Sequence, residues 1–235
     1  MNVNNSISIK IQDGCSQRCA YCIVCLLRGV SISIPYKDIY KDIEFFSKAE
    51  NTKEIWLSGI NTLEYYDESI GDLCDLIKKL ITDFPDIYFS LDFINPFGTE
   101  KIFRLIDLMN EYPTHLNNKF ILSIQSASNT VLKRMHRPYT KDVLIKIFDY
   151  AKSHNIQLRS EIIPGFPGET EEEFLDTYNF IKKYKYDFQT KAFSPRPGTE
   201  AISLPNQIPE NVIIQRTKAY RELKHELGYK ETEED

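Results

Sequence analysis

Four of the five cysteines in this chain lie within eleven residues near the amino end, at positions 15, 19, 22 and 25. An odd number of cysteines, in a chain without a secretion signal, argues against a disulfide framework. Thiolates select zinc ions or iron–sulfur clusters. The close spacing therefore predicts that Cys15, Cys19 and Cys22 ligate a metal.

The number of nearby donor atoms bears on which metal this is. A structural zinc ion normally takes four protein ligands, but the four histidines of the chain are scattered over positions 115 to 225. Three thiolates on one loop suit a [4Fe–4S] cluster whose fourth iron is left open for a substrate or a cofactor. The alternatives are a zinc site completed by Cys25, or buried thiols without metal.

The composition of the whole chain is that of an ordinary globular protein. Its 235 residues are 42% hydrophobic and 27% charged, which excludes disorder of the whole chain and fits one domain or two small ones. We find no membrane-spanning stretch and no signal pattern, so we expect an intracellular, cytoplasmic protein. The net charge of -5 argues against non-specific nucleic-acid binding.

Short β-branched and aromatic runs alternate with amphipathic helical patterns. Most of these runs are almost continuously apolar, which is typical of strands buried on both faces. Helical patterns lie around residues 39–46 and 70–84, after a capping box at Thr170 and Glu173, and from Pro209 to Gly228. The predicted strands are 6–12, 54–58, 87–94, 120–125, 156–163 and 188–193.

Six successive β–α units predict a parallel sheet with right-handed crossovers. Either a doubly wound sheet or a curved partial barrel satisfies this pattern. In both, function lies at the carboxyl ends of the strands. Polar and glycine-containing motifs fall there, at 13–15, 58–59, 95–96, 125–126, 164–166 and 194–196. One domain is expected over residues 1–228, with a charged, frayed tail over 229–235.

The cysteine motif resembles that of a known superfamily. The spacing Cys15-x-x-x-Cys19-x-Tyr21-Cys22 is the signature of the radical S-adenosylmethionine (SAM) enzymes. The resemblance implies that three cysteines hold a [4Fe–4S] cluster and that SAM chelates its open iron. One electron then cleaves the sulfonium, and the resulting 5′-deoxyadenosyl radical abstracts hydrogen from a substrate. The resemblance also implies a partial (β/α)6 barrel of the TIM type.

Five blocks resemble, in the same order, the radical core of the methylthiotransferases that act on tRNA or on a ribosomal protein. They are IQDGCSQRCAYCI, EIWLSGIN, QSASNTVLKRMHRPYT, IPGFPGETEEEF and FSPRPGTEA. This closer resemblance implies which residues contact each part of SAM.

Each block implies contacts with one part of the cofactor. Backbone carbonyls at Ser58 and Gly59 are expected at the methionyl amino group, where glycine allows close approach. Gln125 and Ser126 are expected to reach the ribose or the carboxylate, and either Ser160 or Glu161 to bond the ribose hydroxyls. Glu161 stands where aspartate is expected and has an interior salt bridge as its alternative. The adenine is expected to lie among Tyr21, Gly165, Phe166, Phe193 and Ser194, with Tyr21 alternatively serving only in packing.

Arg137 and Arg196 each lie in one of the matching blocks. The resemblance assigns them to the methionine carboxylate or to an anionic substrate. The alternative for each arginine is a surface ion pair, which contributes little to stability.

The sequence also departs from the methylthiotransferases. The first cluster cysteine is already residue 15, so we expect no N-terminal domain with three further cysteines, and no small C-terminal β-domain. Cys25 replaces the usual proline and is the candidate catalytic residue, as a hydrogen-atom donor to a substrate radical. Sulfur donation or simple packing are its alternatives. Cys74 is expected in the core.

We therefore expect a radical SAM enzyme acting on a peptide or a small molecule, with epimerisation, cross-linking or C–S bond formation as the outcome. The acidic charge favours such substrates over RNA. The expected partners are an electron donor such as flavodoxin or ferredoxin and a subunit that closes the open side of the barrel. Two alternatives stay open: a methylthiotransferase core acting on tRNA or protein with sulfur from a partner, and a non-catalytic cluster-binding subunit.

Overall fold

A computed structural model describes residues 6–49 and 52–230, which form an α/β fold whose wall consists of a three-stranded and a four-stranded parallel sheet. The strands are β1 Ser6–Lys10, β2 Gln12–Asp13, β3 Ile32–Ser33, β4 Glu54–Ser58, β5 Tyr66–Asp67, β6 Gly71–Asp72, β7 Tyr88–Leu91, β8 Phe93–Ile94, β9 Lys119–Gln125, β10 Gln157–Ile162 and β11 Asp187–Thr190. The helices are α1 Val24–Arg28, α2 Tyr36–Ala49, α3 Leu73–Asp83, α4 Thr99–Glu111, α5 Asn129–Arg134, α6 Lys141–Ser153, α7 Glu171–Tyr184 and α8 Glu210–Glu226. Two 3-10 turns cover Thr62–Glu64 and Glu200–Ser203.

The barrel wall is built from strands that follow one another in chain order. All their pairings are parallel: β1 with β4, β4 with β7, β8 with β9, β9 with β10, and β10 with β11. A doubly wound sheet reverses its strand order at one point, and this wall does not. The predicted partial (β/α)6 barrel is therefore confirmed. Within the described ranges no pairing joins β1 to β11, so the wall is open on that side.

The two faces of the wall differ in polarity. Ile9, Ile55 and Phe89 are buried in the main core together with helix residues such as Ile77 and Ile147. The alternate residues face the barrel interior and are mostly polar. On β1, the side chains at 6, 8 and 10 are exposed, which places the open side of the barrel next to this strand.

Helices α3 and α7 begin where side-chain hydrogen bonds satisfy N–H groups of the first turn. At α7, the Thr170 hydroxyl accepts from the Glu173 N–H and the Glu173 carboxylate accepts from the Thr170 N–H, as the capping-box pattern predicts. Asp72 and Asp75 form the same arrangement at α3. Within the described ranges, none of the helices has the length and apolar character needed to span a bilayer.

Several predicted elements differ at their ends. The first predicted strand stops at Lys10, and the chain then turns to pair antiparallel with β3. The third is interrupted at Asp92, so that β7 pairs with β4 and β8 with β9. Pro209 caps α8 and does not lie inside it. Of the predicted tail, residues 231–235 lie outside the described residues.

Candidate active site

The three motif cysteines lie on one loop, residues 14–23, at the carboxyl end of the barrel wall; we call it the cysteine loop. Cys19 is buried, Cys15 and Cys22 are half-buried, and all three are free thiols. The Cys22 N–H donates to the Cys19 carbonyl at 3.0 Å, which curls the loop. The local sequence thus presents three sulfurs from a single turn of chain.

Gly14 allows the start of the cysteine loop to lie close to Val30, which follows α1. Its φ is +69°, and a Cβ at this position would lie 2.2 Å from the Val30 carbonyl oxygen. The Gly14 carbonyl accepts a hydrogen bond of 2.7 Å from the amide of Gln12, whose side chain is buried. The Gln12 side chain also accepts from the Asn61 N–H at 2.9 Å. Gln12 therefore joins the cysteine loop to the loop that follows β4.

That neighbouring loop contains Ser58 and Gly59. The Ser58 carbonyl already accepts from the Ile11 N–H at 2.9 Å, and a Cβ on Gly59 would lie 2.9 Å from the Gln12 side-chain oxygen. Asn61 is 1% exposed, and neither polar atom of its side chain has a hydrogen-bond partner among the described residues. Buried polar groups in proteins are normally hydrogen-bonded. Asn61 thus offers a donor and an acceptor to a bound polar group.

The cysteine loop is held from its other side by residues far along the chain. The Ala20 N–H donates to the Met135 carbonyl at 3.1 Å, and the Ala20 carbonyl accepts from the Ala201 N–H at 2.8 Å. The ring of Tyr21 meets Phe166 edge-on, with 6.4 Å between centroids. These contacts belong to a second apolar cluster, formed by Ala20, Val131, Met135, Phe166, Phe193 and Ala201 with Tyr21 packed against it.

The Gly165 turn is fixed by the last helix. The Gly165 N–H donates to the Glu169 carboxylate at 2.8 Å, and Arg216 of α8 donates to the same oxygen at 2.8 Å. Gly165 has a φ of +81°, and a Cβ there would lie 2.5 Å from Ile213. The turn therefore depends on glycine and on a buried ion pair with α8.

A protein-family model described as the radical SAM superfamily matches residues 9–181. The chain belongs to the radical SAM superfamily. The matched segment includes the cysteine loop and the wall from β4 to β10. The superfamily predicted from the cysteine motif is thereby confirmed, and so is the prediction that this protein is an enzyme.

Curated relatives align over almost the whole radical SAM chain. A tRNA-2-methylthio-N(6)-dimethylallyladenosine synthase from Fusobacterium nucleatum is 34% identical over 237 residues, which cover 97% of this chain and 53% of that protein. A threonylcarbamoyladenosine tRNA methylthiotransferase, MtaB, from Bacillus subtilis is 34% identical over 228 residues, covering 94% and 49% respectively. The chain spans about half the length of the curated relatives it matches.

Solved radical SAM structures share the fold at low sequence identity. Coproporphyrinogen III oxidase, HemN, from Escherichia coli has a TM-score of 0.68 at 13% identity, covering 96% of this chain and 53% of that chain. SuiB from Streptococcus suis, solved with SAM, has a TM-score of 0.63 at 15% identity, covering 94% and 48%. TsrM from Kitasatospora setae, solved with cobalamin and a [4Fe–4S] cluster, has a TM-score of 0.66 at 15% identity, covering 83% and 35%.

The radical SAM motif cysteines form a donor set that suits a cluster better than a single ion. Within residues 6–49 and 52–230, no three histidine, cysteine or acidic side chains converge as a site for one metal ion. In a cubane cluster each thiolate binds a different iron, so the sulfurs stand farther apart than the ligands of one zinc ion. Burial raises the pKa of Cys15 to about 11, so binding of the metal has to displace its proton.

Two hydroxyls predicted at the ribose are used inside the protein. Ser126 is 1% exposed and shares a hydrogen bond of 3.0 Å with the Thr177 hydroxyl. Ser160 is fully buried and donates to the Leu122 carbonyl at 2.7 Å. Both hydroxyls are therefore hydrogen-bonded inside the protein. Their contact with SAM stays a prediction, and this geometry does not favour it.

Gln125 and Glu161 instead lie together on the interior face. Gln125 has a φ of +62°, which is uncommon for a residue with a side chain, and it ends β9 beside the site. Gln125, Ser123 and Lys191 lie close enough to the Glu161 carboxylate to stabilise its charged form. Burial nevertheless raises the pKa of Glu161 above its ordinary value. This pair is better placed than the two serines for the predicted ribose contact.

The predicted adenine and arginine residues separate into buried and exposed groups. Phe166 and Phe193 are buried against the cysteine loop, whereas Ser194 and Arg196 are exposed at its rim. Arg196 is close enough to Cys22 to act on that thiol, although burial has the larger effect and raises the Cys22 pKa. Arg137 is 6% exposed and donates to the sulfur of Cys19 at 3.3 Å.

The two cysteines outside the radical SAM motif differ in their surroundings. Cys25 is half-buried on α1, and it lies near enough to Cys22 for a negative charge on it to raise the pKa of that thiol. Cys74 is 4% exposed in the main core, where burial raises its pKa to about 12. Cys74 is therefore a core residue, and Cys25 stays a candidate next to the predicted cluster.

Sequence reasoning did not single out Gln12 or Asn61. Gln12 continues the alternation of polar residues at positions 6, 8 and 10, so nothing in the local sequence distinguishes it. Asn61 is the last residue of the block EIWLSGIN, and no feature of that block marks it as buried. Both are buried polar residues that connect the first two loops at the carboxyl ends of the strands.

Proposed function

We propose that this protein is a [4Fe–4S]-dependent radical SAM enzyme that cleaves SAM reductively and abstracts a hydrogen atom from its substrate. The observation that carries the proposal is the set of three free motif thiols on one loop of a radical SAM barrel. When bound, the cluster supplies one electron to SAM, yielding methionine and a 5′-deoxyadenosyl radical. In this proposal an electron carrier such as flavodoxin or ferredoxin provides that electron.

The residues around the cysteine loop suit the two ends of SAM. We assign the methionyl end to the loop after β4, because Asn61 has a buried side chain without a partner there. We assign the adenine to the apolar cluster around Phe166, Phe193 and Tyr21, and the ribose to Gln125 and Glu161. Burial of these groups excludes water from the reacting atoms and fixes their geometry.

For the reaction outcome we propose methylthiolation of an adenosine in tRNA. Both curated relatives described above are named for tRNA methylthiolation, and they match nearly the whole chain at 34% identity. Methylthiolation also requires a sulfur donor, and in this proposal a partner protein supplies the sulfur. The second candidate is hydrogen abstraction from a peptide or small molecule, which the net charge of -5 favours.

The first test concerns the cofactor. Anaerobic reconstitution should yield about four irons per chain and, with dithionite and SAM, 5′-deoxyadenosine. Cys22→Ala should lose both, whereas the matched Cys74→Ala should keep both because Cys74 lies in the core. Zinc in place of iron would refute the proposal. A full cluster that never yields 5′-deoxyadenosine would support a non-catalytic cluster-binding subunit.

The second test concerns the substrate. The reconstituted enzyme would be incubated with unmodified tRNA, SAM, a reductant and a sulfide source, followed by nucleoside mass spectrometry. We expect adenosines that have gained a methylthio group. Formation of 5′-deoxyadenosine without any change in the tRNA would favour the second candidate. Hydrogen–deuterium transfer from labelled peptides to 5′-deoxyadenosine would then identify the substrate class.

The third test concerns Cys25 as the catalytic residue. A hydrogen-atom donor to the substrate radical acts after 5′-deoxyadenosine has formed, and it is needed only for the second candidate with epimerisation as the outcome. For that reaction, Cys25→Ala should keep the cluster and 5′-deoxyadenosine formation but lose product. Cys25→Ser preserves size while removing the thiol and should behave in the same way. Unaltered product yield in both variants would show that Cys25 only packs.

A further inference from the structure

Arg137 is a buried cation in contact with a predicted cluster ligand. Its side chain is 6% exposed, and one terminal nitrogen donates to the Cys19 sulfur at 3.3 Å. The two residues are 118 positions apart in the sequence. From sequence, Arg137 was assigned to the methionine carboxylate or an anionic substrate, but its guanidinium points to the ligand sulfur.

The end of α5 directs Arg137 into the barrel. His136 adopts a left-handed conformation, with a φ of +58°. The His136 N–H donates to the Lys133 carbonyl at 3.1 Å, and the Arg137 N–H donates to the Leu132 carbonyl at 2.8 Å. This pair of bonds is a Schellman motif, which ends the helix and reverses the chain. Arg137 therefore leaves the helix at a fixed angle.

A β-bulge in β9 provides two of the acceptors around Arg137. Ser160 pairs with Leu122, but Ile162 pairs with Gln125, so β9 has one extra residue between these pairs. The carbonyl of Ser123, inside the bulge, accepts from Arg137 at 2.6 Å. The next carbonyl, of Ile124, accepts from the Tyr139 hydroxyl at 2.6 Å.

The remaining bonds orient the guanidinium group. Nε donates to the Tyr139 hydroxyl at 3.0 Å, and a terminal nitrogen donates to the Asn95 side-chain oxygen at 2.9 Å. With the bonds to Ser123 and Cys19, four of the five guanidinium N–H groups are used. The rings of Phe97 and Tyr139 lie 4.7 Å and 5.2 Å from the guanidinium carbon. The cation is thus held rigidly against one sulfur.

The charge of Arg137 requires an anionic neighbour. The side chain of Asn95, the carbonyl of Ser123 and the hydroxyl of Tyr139 are neutral acceptors. Glu161 acts on the cation only through space. Burying a charge without a paired charge is costly in free energy. A cluster-ligating thiolate at Cys19 would be the bonded anion in this network.

We propose that Arg137 is a positioning residue that sets the reduction potential of the cluster through Cys19, an inference that rests on the proposed [4Fe–4S] cluster. Hydrogen bonds to ligand sulfurs and nearby charge are the main protein controls on such potentials. Reduction adds a negative charge, which a buried cation stabilises. Arg137 therefore makes the cluster easier to reduce, before SAM is bound.

The test compares the reconstituted protein with its Arg137→Gln and Arg137→Lys variants. Arg134→Gln is the matched control, because Arg134 lies three residues earlier and its guanidinium is bonded to Glu173. Iron and sulfide content, thermal unfolding and the midpoint potential would be measured for each. The potential would be followed by electron paramagnetic resonance, without SAM.

We expect Arg137→Gln to lower the ratio of reduced to oxidised cluster at least tenfold at a fixed potential, a shift of about 59 mV for one electron. Arg137→Lys keeps the charge but not the bond geometry, so its shift should be smaller and in the same direction. Arg134→Gln should leave the potential unchanged. A role at the SAM carboxylate would instead alter SAM binding and leave the potential measured without SAM unchanged.

An intact cluster with the wild-type potential in Arg137→Gln would overturn the inference. If Arg137→Gln fails to load a cluster, Arg137→Lys and Tyr139→Phe decide, because the latter loosens the guanidinium without removing it. Wild-type potentials in both would overturn the inference. A wild-type protein that holds no [4Fe–4S] cluster would refute the proposed function itself, whereas the preceding outcomes leave that function intact.

Discussion

At the scale of single residues, Gly14 and Gly29 make it possible to distinguish the cost of a left-handed backbone from the cost of a steric clash. Gly14 and Gly29 have nearly equal φ values, +69° and +75°. A Cβ on Gly14 would lie 2.2 Å from the Val30 carbonyl oxygen, whereas a Cβ on Gly29 would meet nothing within 4 Å. The chain therefore requires glycine at position 14 for two reasons and at position 29 for one.

Gly14→Ala should destabilise the protein more than Gly29→Ala. The left-handed backbone costs either alanine about 1–2 kcal/mol. Gly14→Ala additionally forces the start of the cysteine loop away from Val30, so we also expect loss of iron after reconstitution. Thermal unfolding and iron analysis would measure both effects. Equal stability and equal iron content in the two variants would show that the close contact at Gly14 affects neither folding nor cluster binding.

Residues of the site could be predicted from the sequence where the motif that identifies them lies within one short segment. The three motif cysteines form such a signal, because their spacing lies within one loop and matches a superfamily signature. The contact of Arg137 with Cys19 joins residues 118 positions apart, and the role of Gln12 depends on where Asn61 lies in space. Spacing along the chain does not encode contacts of this kind.

At the scale of elements, the short helix α5 determines where Arg137 points. Its end depends on His136, which occupies the left-handed position that usually favours glycine. Because His136 precedes Arg137 directly, a change in this turn rotates the guanidinium away from the cysteine loop. The stability of the turn and the properties of the cluster are therefore linked.

Variants of His136 should rank by how well they tolerate a left-handed backbone. Glycine and asparagine adopt it readily, and a β-branched residue does not. We expect His136→Gly and His136→Asn to match or exceed the wild-type midpoint temperature, and His136→Val to lose about 1–2 kcal/mol. Thermal unfolding would establish the order. A valine variant as stable as the glycine variant would contradict the assignment of the turn.

The elements themselves were predictable to different degrees. Runs rich in β-branched and aromatic residues predicted all six wall strands, but the expectation that these strands are apolar on both faces was wrong, because their interior face is mostly polar. The interruption at Asp92 and the bulge in β9 were not predictable, since both depend on register with a neighbouring strand. The last helix was placed correctly, but its buried residues include Arg216 and Lys224, which periodicity assigns to solvent.

At the scale of the whole molecule, α8 closes the end of the fold onto the predicted adenine turn. The side chains of Arg216 and Glu169 are 8% and 2% exposed, and their ion pair is 2.8 Å long. The Glu169 carboxylate also accepts a hydrogen bond from the Gly165 N–H, so the ion pair fixes the Gly165 turn relative to α8. The C-terminal helix thus contributes to the site without lining it.

Arg216→Met should unfold at a markedly lower temperature than the wild type. Removing one partner of a buried ion pair costs about 3–5 kcal/mol, because the other charge stays buried. The control is Lys218→Met on the same helix, whose side chain is 75% exposed and whose loss should cost little. Denaturant unfolding of both variants would measure the difference. Similar free energies of unfolding would show that the buried pair is not required.

The supports of the cysteine loop have a consequence for how the protein is made. Cys15, Cys19 and Cys22 leave the ribosome early, but the loop is bonded to Met135 and Ala201, much later in the chain. At about 5–20 residues per second, synthesis from the last motif cysteine to Ala201 takes roughly 10 to 40 seconds. During that interval the newly made thiols lack these supports, so a stable cluster site forms only after Ala201 has left the ribosome.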